Sequence, residues 1–199
     1  NNLADATRKW LESYKVQIRE AIALKLEATE TIRNAWENLQ QDGGATGPLA
    51  GGVTPLISTK WNQGTYYNAL CPYDAAYSQR TVTGCVATAM AQIMKFWNYP
   101  TTGSGFHSYN HSRFGTLSAN FGNTTYNWSS MPNQVTGANS PVATLMYHCG
   151  VSVDMNYGVS ATGGSGAQTL DVVDALKTYF GYPASVQGLY RSNYTESQW

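Results

Sequence analysis

The chain has 199 residues, long enough to bury a substantial core, with 12 basic and 12 acidic side chains and a formal net charge of zero. With no basic excess to neutralise phosphates, the composition argues against a nucleic-acid or anionic-membrane partner and leaves a protein or peptide partner as the expectation. No apolar run is long enough to cross a bilayer, and the N-terminus lacks the basic-then-apolar pattern of a secretory signal, so a secreted protein would already have lost its leader. Cys71, Cys85 and Cys149 form an odd set that leaves at least one free thiol, with a Cys71–Cys149 bridge open.

More than half of the charged side chains lie in residues 1–42, which marks a boundary. Leu3, Trp10, Tyr14 and Ile18, and then Ile32, Trp36 and Leu39, fall at helical spacing, so this segment reads as two helices or one broken helix. Neither stripe buries its aromatics alone, which leaves a surface helix, a coiled-coil arm or a segment lying against another unit. Residues 41–52, QDGGATGPLAGG, hold five glycines and a proline and read as an exposed connection, either an ordinary surface loop or a boundary where proteases cut. Beyond it the chain turns to glycine, asparagine, serine, threonine and tyrosine, with Asn62-Gln63-Gly64 as a turn.

In residues 83–97, TGCVATAMAQIMKFW, the apolar residues Val86, Met90, Ile93, Met94 and Trp97 recur at spacings of three and four. This predicts a helix with one apolar side in the core and Cys85 at its first turn. The unpaired N–H groups of a helix start favour a thiolate, the nucleophilic form, and the glycine before it leaves the backbone bare. Thr83, Thr88, Gln92 and Lys95 are the nearby polar side chains, so no local base exists. On this pattern alone, a lone cysteine on such a helix reads first as an inert core residue.

The stretch TGCVATAMAQIMKFWNYP, residues 83–100, resembles the active-site segment of the streptopain family of papain-like bacterial cysteine peptidases. VTPLISTKWNQGTYYN, residues 53–68, and GVSVDMNYG, residues 150–158, resemble the same family in the same order. The resemblance implies an α+β, papain-like fold, present only in its N-terminal part over residues 53–199. It implies a cysteine endopeptidase acting on proteins or peptides, with Cys85 as nucleophile and no cofactor. Residues 2–20 resemble the end of the family propeptide, so residues 1–42 are expected to be the chain's own propeptide piece and residues 43–52 an activation linker. By analogy Gln63 is the candidate oxyanion donor, although an amide bonding to loop backbone would look the same. The catalytic histidine is expected in a later block, within a C-terminal half absent from this chain, which makes the fragment inactive alone and the enzyme bacterial and secreted. A binding or inhibitory module that keeps half of a peptidase fold without turnover remains the alternative.

The rest of the chain offers weaker chemistry. Residues 101–139 read as loops and short strands; His107 and His111 are four apart, but flanking glycines and serines argue against a helical metal site, and none is expected. Pro141 to Cys149 reads as a second buried helix running into a strand-like Val151-Ser152-Val153, with His148 as a structural histidine or a remote base candidate and Cys149 as core. Residues 159–168, VSATGGSGAQ, lack the last glycine of a nucleophile elbow and the lysine of a phosphate loop. By position they resemble the family loop at the substrate cleft, which makes Thr162, Gly163 and Ser165 candidate peptide contacts. Thr169 to Phe180 reads as a packing helix ended by Gly181 and Pro183.

Overall fold

The computed structural model describes residues 15–16, 18–20, 22–25, 27–41 and 55–195. The connection at 43–52 and the first helical stripe up to Tyr14 lie outside the described residues. The chain divides into two compact units, Asn1–Thr54 and Pro55–Trp199.

In the first unit, α1 spans Glu30–Gln41. It begins where Thr29 offers its hydroxyl to the Ile32 N–H at 3.4 Å and its carbonyl to the Arg33 N–H, and it places an acidic Glu30 in the positive first turn. Ile32 and Trp36 are exposed within this unit, as expected of a stripe that cannot bury itself.

The second unit mixes helices and short strands. Its elements run β1 (Tyr73–Asp74), β2 (Gln79–Arg80), α2 (Cys85–Trp97), β3 (Phe106–His111), β4 (Gly115–Asn120), α3 (Ser140–Val151) and α4 (Asp171–Phe180). Both sheets are antiparallel hairpins: β1 with β2, where Tyr73 faces Arg80, and β3 with β4, in register from Phe106 opposite Asn120 to His111 opposite Gly115. Alternation on β3 turns His107, Tyr109 and His111 to one, more buried side.

The core lies where α2 meets α3. Ala87, Met90, Ala91 and Met94 face Val142, Leu145, Met146 and Cys149, and Phe121, Tyr126 and Phe180 complete the layer. The Cys149 thiol lies 3.7 Å from the Met94 sulfur, and Ser152 closes the end of α3 by donating to the Cys149 carbonyl. Asn139 caps the α3 start by accepting from the Val142 N–H at 2.9 Å, with Pro141 in the first turn where no N–H is needed.

Two expectations need correction. Val151 is the last residue of α3, and Ser152 to Asp154 form a turn rather than a strand, because their N–H groups bond back to the His148, Gly150 and Val151 carbonyls. The apolar side of α2 is also divided: Met90 and Met94 are core, whereas Ile93 and Trp97 are 41% and 65% exposed. The helix carries more apolar circumference than α3 covers.

Candidate active site

Everything at the start of α2 follows from Gly84. Its φ of +87° and ψ of 143° belong to a backbone region open essentially to glycine. A Cβ there would meet the Met155 Sδ and Cε at 2.7 Å and the Ser165 Cβ at 3.3 Å. The residue therefore turns the chain into the helix while the 155–165 segment passes directly over it. Gly84 also provides no side-chain cap, so the N–H groups of the first turn keep their positive field beside Cys85.

Cys85 is exposed at the first helical position, whereas Cys71 and Cys149 are buried, and all three are free thiols. Burial pushes the Cys71 thiol up to about 12, opposed by the Tyr157 hydroxyl and the Arg80 charge, and raises Cys149 as well. Neither buried sulfur is chemically available near neutral pH.

The polar side chains close to Cys85 in sequence are engaged elsewhere. The Thr83 and Thr88 hydroxyls lie 2.9 Å apart, and Thr88 donates to the Gly84 carbonyl, which ties the turn to the helix. Gln92 accepts from Thr59, and Lys95 donates to the Trp128 carbonyl.

Residues 82–84 run between two loops. On one side the Thr83 N–H donates to the Gln63 carbonyl at 3.0 Å, and the Gln63 turn is closed by the Asn62 side chain accepting from the Gly64 N–H. On the other, the Val82 N–H donates to the Gly158 carbonyl, and the Ser165 hydroxyl donates to the Val82 carbonyl at 2.6 Å while accepting from the Gly158 N–H. The fold thus brings Gln63 and Ser165 to the segment that carries Cys85. Thr162 and Gly163 belong to the same loop as Ser165; Thr162 donates to the Val159 carbonyl, and Gly163 has a φ of +99°.

Each histidine has its own partners. His107 Nε2 is 2.6 Å from an Asp154 carboxylate oxygen, and His111 Nδ1 accepts from the Arg113 and Phe114 N–H groups. His148 is buried, its Nδ1 2.9 Å from the Tyr126 hydroxyl and its ring edge-on to Phe121, and burial lowers its pKa to about 4. Among the described residues no group of three or more histidine, cysteine or acidic side chains is arranged to hold a metal.

Sequence reasoning passed over two features. Met155 packs against Gly84, a contact whose only sequence signal was the glycine itself. An apolar groove of about 870 Å³ runs along the uncovered side of α2, lined by Val86, Ile93 and Trp97 and by Leu170, Leu189 and Tyr190. Its signal was the excess of apolar residues around the helix.

Comparisons with known proteins identify the family. Residues 61–199 match the model of the peptidase C10 family. The chain is 32% identical to the thiol protease/hemagglutinin PrtT of Porphyromonas gingivalis, over 99% of the chain and 23% of that protein. It is 32% identical to streptopain of Streptococcus pyogenes, over 96% of the chain and 49% of that protein. Active wild-type interpain A cysteine protease of Prevotella intermedia superposes with a TM-score of 0.67 and 41% identity, covering 74% of this chain and 62% of interpain. A prointerpain A fragment superposes with a TM-score of 0.67 and 36% identity, covering 84% of this chain and 57% of the fragment. The chain therefore spans about half the length of streptopain and less than two thirds of the interpain chains. With a family match running from Trp61 to Trp199 around an exposed cysteine at a helix start, the chain belongs to the peptidase C10, or streptopain, family of cysteine peptidases.

Proposed function

We propose that the chain is part of a cysteine endopeptidase precursor whose nucleophile is Cys85. The observation that carries this reading is a single exposed thiol at the first position of a well-packed helix, beside two thiols that burial silences. In the proposed reaction a histidine outside residues 1–199 takes the Cys85 proton, and the thiolate attacks the peptide carbonyl. The Cys85 N–H and the Gln63 side-chain amide donate to the developing oxyanion. The imidazolium then protonates the leaving amine, and water hydrolyses the thioester, releasing the acid and restoring the thiol. Thr162, Gly163 and Ser165 border the bound peptide.

The enclosure of His148, the histidine on the helix packed against α2, supports a base from outside the chain. The exposed apolar side of α2 supports the reading that the remaining half of the peptidase packs along the groove of Val86, Ile93 and Trp97. Residues 1–42 fit the propeptide part of the same reading, with cleavage within 43–52 and a secreted bacterial enzyme as its setting.

The test is hydrolysis of a fluorogenic peptide by residues 1–199, before and after cleavage in the linker, with Cys85→Ala as control. The fragment is expected to be inactive in both forms and to gain Cys85-dependent turnover when a downstream half is supplied. General acid–base action contributes about 10²–10⁴-fold, which is the scale of the expected rescue. Cys85-dependent turnover by the fragment alone would overturn the external base. Peptide binding without turnover in the completed protein would favour a non-catalytic module.

A further inference from the structure

A cavity of about 420 Å³, separate from the apolar groove, is walled by Gly64, Tyr66, Asn68, Arg80, Val82 and Ser160. Three of its walls are continuous with the candidate cleft. Gly64 follows Gln63, Val82 accepts the Ser165 hydroxyl three residues before Cys85, and Ser160 opens the loop that holds Thr162 and Gly163.

The charge of the cavity is one-sided. Arg80 is its only charged lining residue. Its position is set by pairing with Tyr73 across the β1–β2 hairpin and by one guanidinium N–H donating to the Cys71 carbonyl at 2.6 Å. Among the described residues no carboxylate forms an ion pair with Arg80, so the other N–H groups of the planar fork have no anionic partner. Tyr66 stands in the same wall with a φ of +72°, a conformation rare for a bulky residue, and the residue is 41% exposed. A left-handed tyrosine and an arginine without a counter-ion, in one concave wall that Val82 links to the segment carrying Cys85, make a place shaped for an anionic group.

We propose that this cavity takes an acidic side chain of the bound peptide, the carboxylate accepting from the Arg80 guanidinium and from the Tyr66 hydroxyl. The inference rests on the peptidase reading for the peptide itself, and it adds a charge preference that the nucleophile does not supply.

Binding and labelling separate the two. Blocked hexapeptides carrying Asp, Asn or Lys at each position in turn are titrated against the Cys85→Ala chain by fluorescence anisotropy. At one position Asp should bind about two- to fivefold tighter than Asn, the range of an exposed charge pair, with Lys weakest. Arg80→Gln should bring the Asp/Asn ratio to about one, Arg80→Lys should keep part of it, and Tyr66→Phe should lower it with the fold intact by circular dichroism. Equal affinities for Asp and Asn at every position, or no peptide binding, would overturn the proposal, as would a preference that survives Arg80→Gln. In parallel, unmodified chain is exposed to an Asp-bearing peptidyl chloromethyl ketone and to iodoacetamide. Acidic preference without Cys85 alkylation would keep the cavity and sink the nucleophile; alkylation without preference would do the reverse.

Discussion

Replacing Gly84 with alanine tests the local geometry at its tightest point. An alanine at φ +87° and ψ 143° sits in a region that costs of order 1–3 kcal/mol for a residue with a Cβ. The new methyl also meets Met155 at 2.7 Å, but the atoms it meets are the far end of a flexible side chain, so that contact adds only about 1 kcal/mol. The expected loss is therefore about 2–4 kcal/mol. With a urea dependence of about 2 kcal/mol per molar for a domain of this size, the unfolding midpoint should fall by about 1–2 M. A thermodynamic cycle with Met155→Ala separates the two causes. Met155 is fully buried, and its truncation alone should cost about 2–5 kcal/mol. If the backbone dominates, the Gly84→Ala penalty persists in the Met155→Ala background with a coupling below about 1 kcal/mol. The iodoacetamide rate at Cys85 is read in the same samples and should change with the turn. A Gly84→Ala chain with unaltered midpoint and unaltered alkylation rate would refute the reasoning, and a penalty abolished by Met155→Ala would transfer the cause from backbone to packing.

Three other outcomes follow from the same contacts. Limited iodoacetamide near neutral pH should modify Cys85 at least about a hundredfold faster than Cys71 or Cys149, since burial and raised thiol pKa act together on those two; peptide mapping by mass spectrometry checks it. His148 is held neutral, with its pKa lowered from 6.5 to about 4, so its contribution is fully present above pH 6.5 and is lost as pH falls from there towards 4. Against His148→Gln, the wild-type chain should lose about 3 kcal/mol more between pH 7 and pH 4 in urea unfolding, and parallel pH profiles would contradict the assignment. Arg113 donates at 2.6 Å to Asp74, whose side chain is only 3% exposed, so Arg113→Ala should cost about 1–3 kcal/mol. Adding Asp74→Asn should then recover part of that loss, because the stranded carboxylate disappears.

Much of the candidate site was legible because its signals are local. A helix period from Val86 to Trp97, a glycine at its start and a cysteine at its first position depend on neighbouring residues alone, and the fold kept all three. The same holds for the Asn62-Gln63-Gly64 turn, closed by an Asn side chain two residues away, and for the ending of α4 at left-handed Gly181. The assignment of a whole motif to a family added what local chemistry lacks, namely a reason to prefer a nucleophile over a core cysteine.

What stayed hidden is non-local. Periodicity marks apolar residues on α2 but not which of them meet a partner; α3 covers Met90 and Met94, and Ile93 and Trp97 are left on the surface. The turn at Ser152 to Asp154 arises because three N–H groups find helical carbonyls behind them, against the β-branched character that suggested a strand. The sulfur of Met155 against Gly84, the hydroxyl of Ser165 on Val82 and the guanidinium of Arg80 on the Cys71 carbonyl join residues up to 83 apart in sequence. The amino-acid order by itself determined the helix, its cysteine and the turn beside it, since each is an equilibrium among near neighbours. Only tertiary structure decided which thiol stays exposed and which loops flank it, because burial and approach are properties of the packed chain.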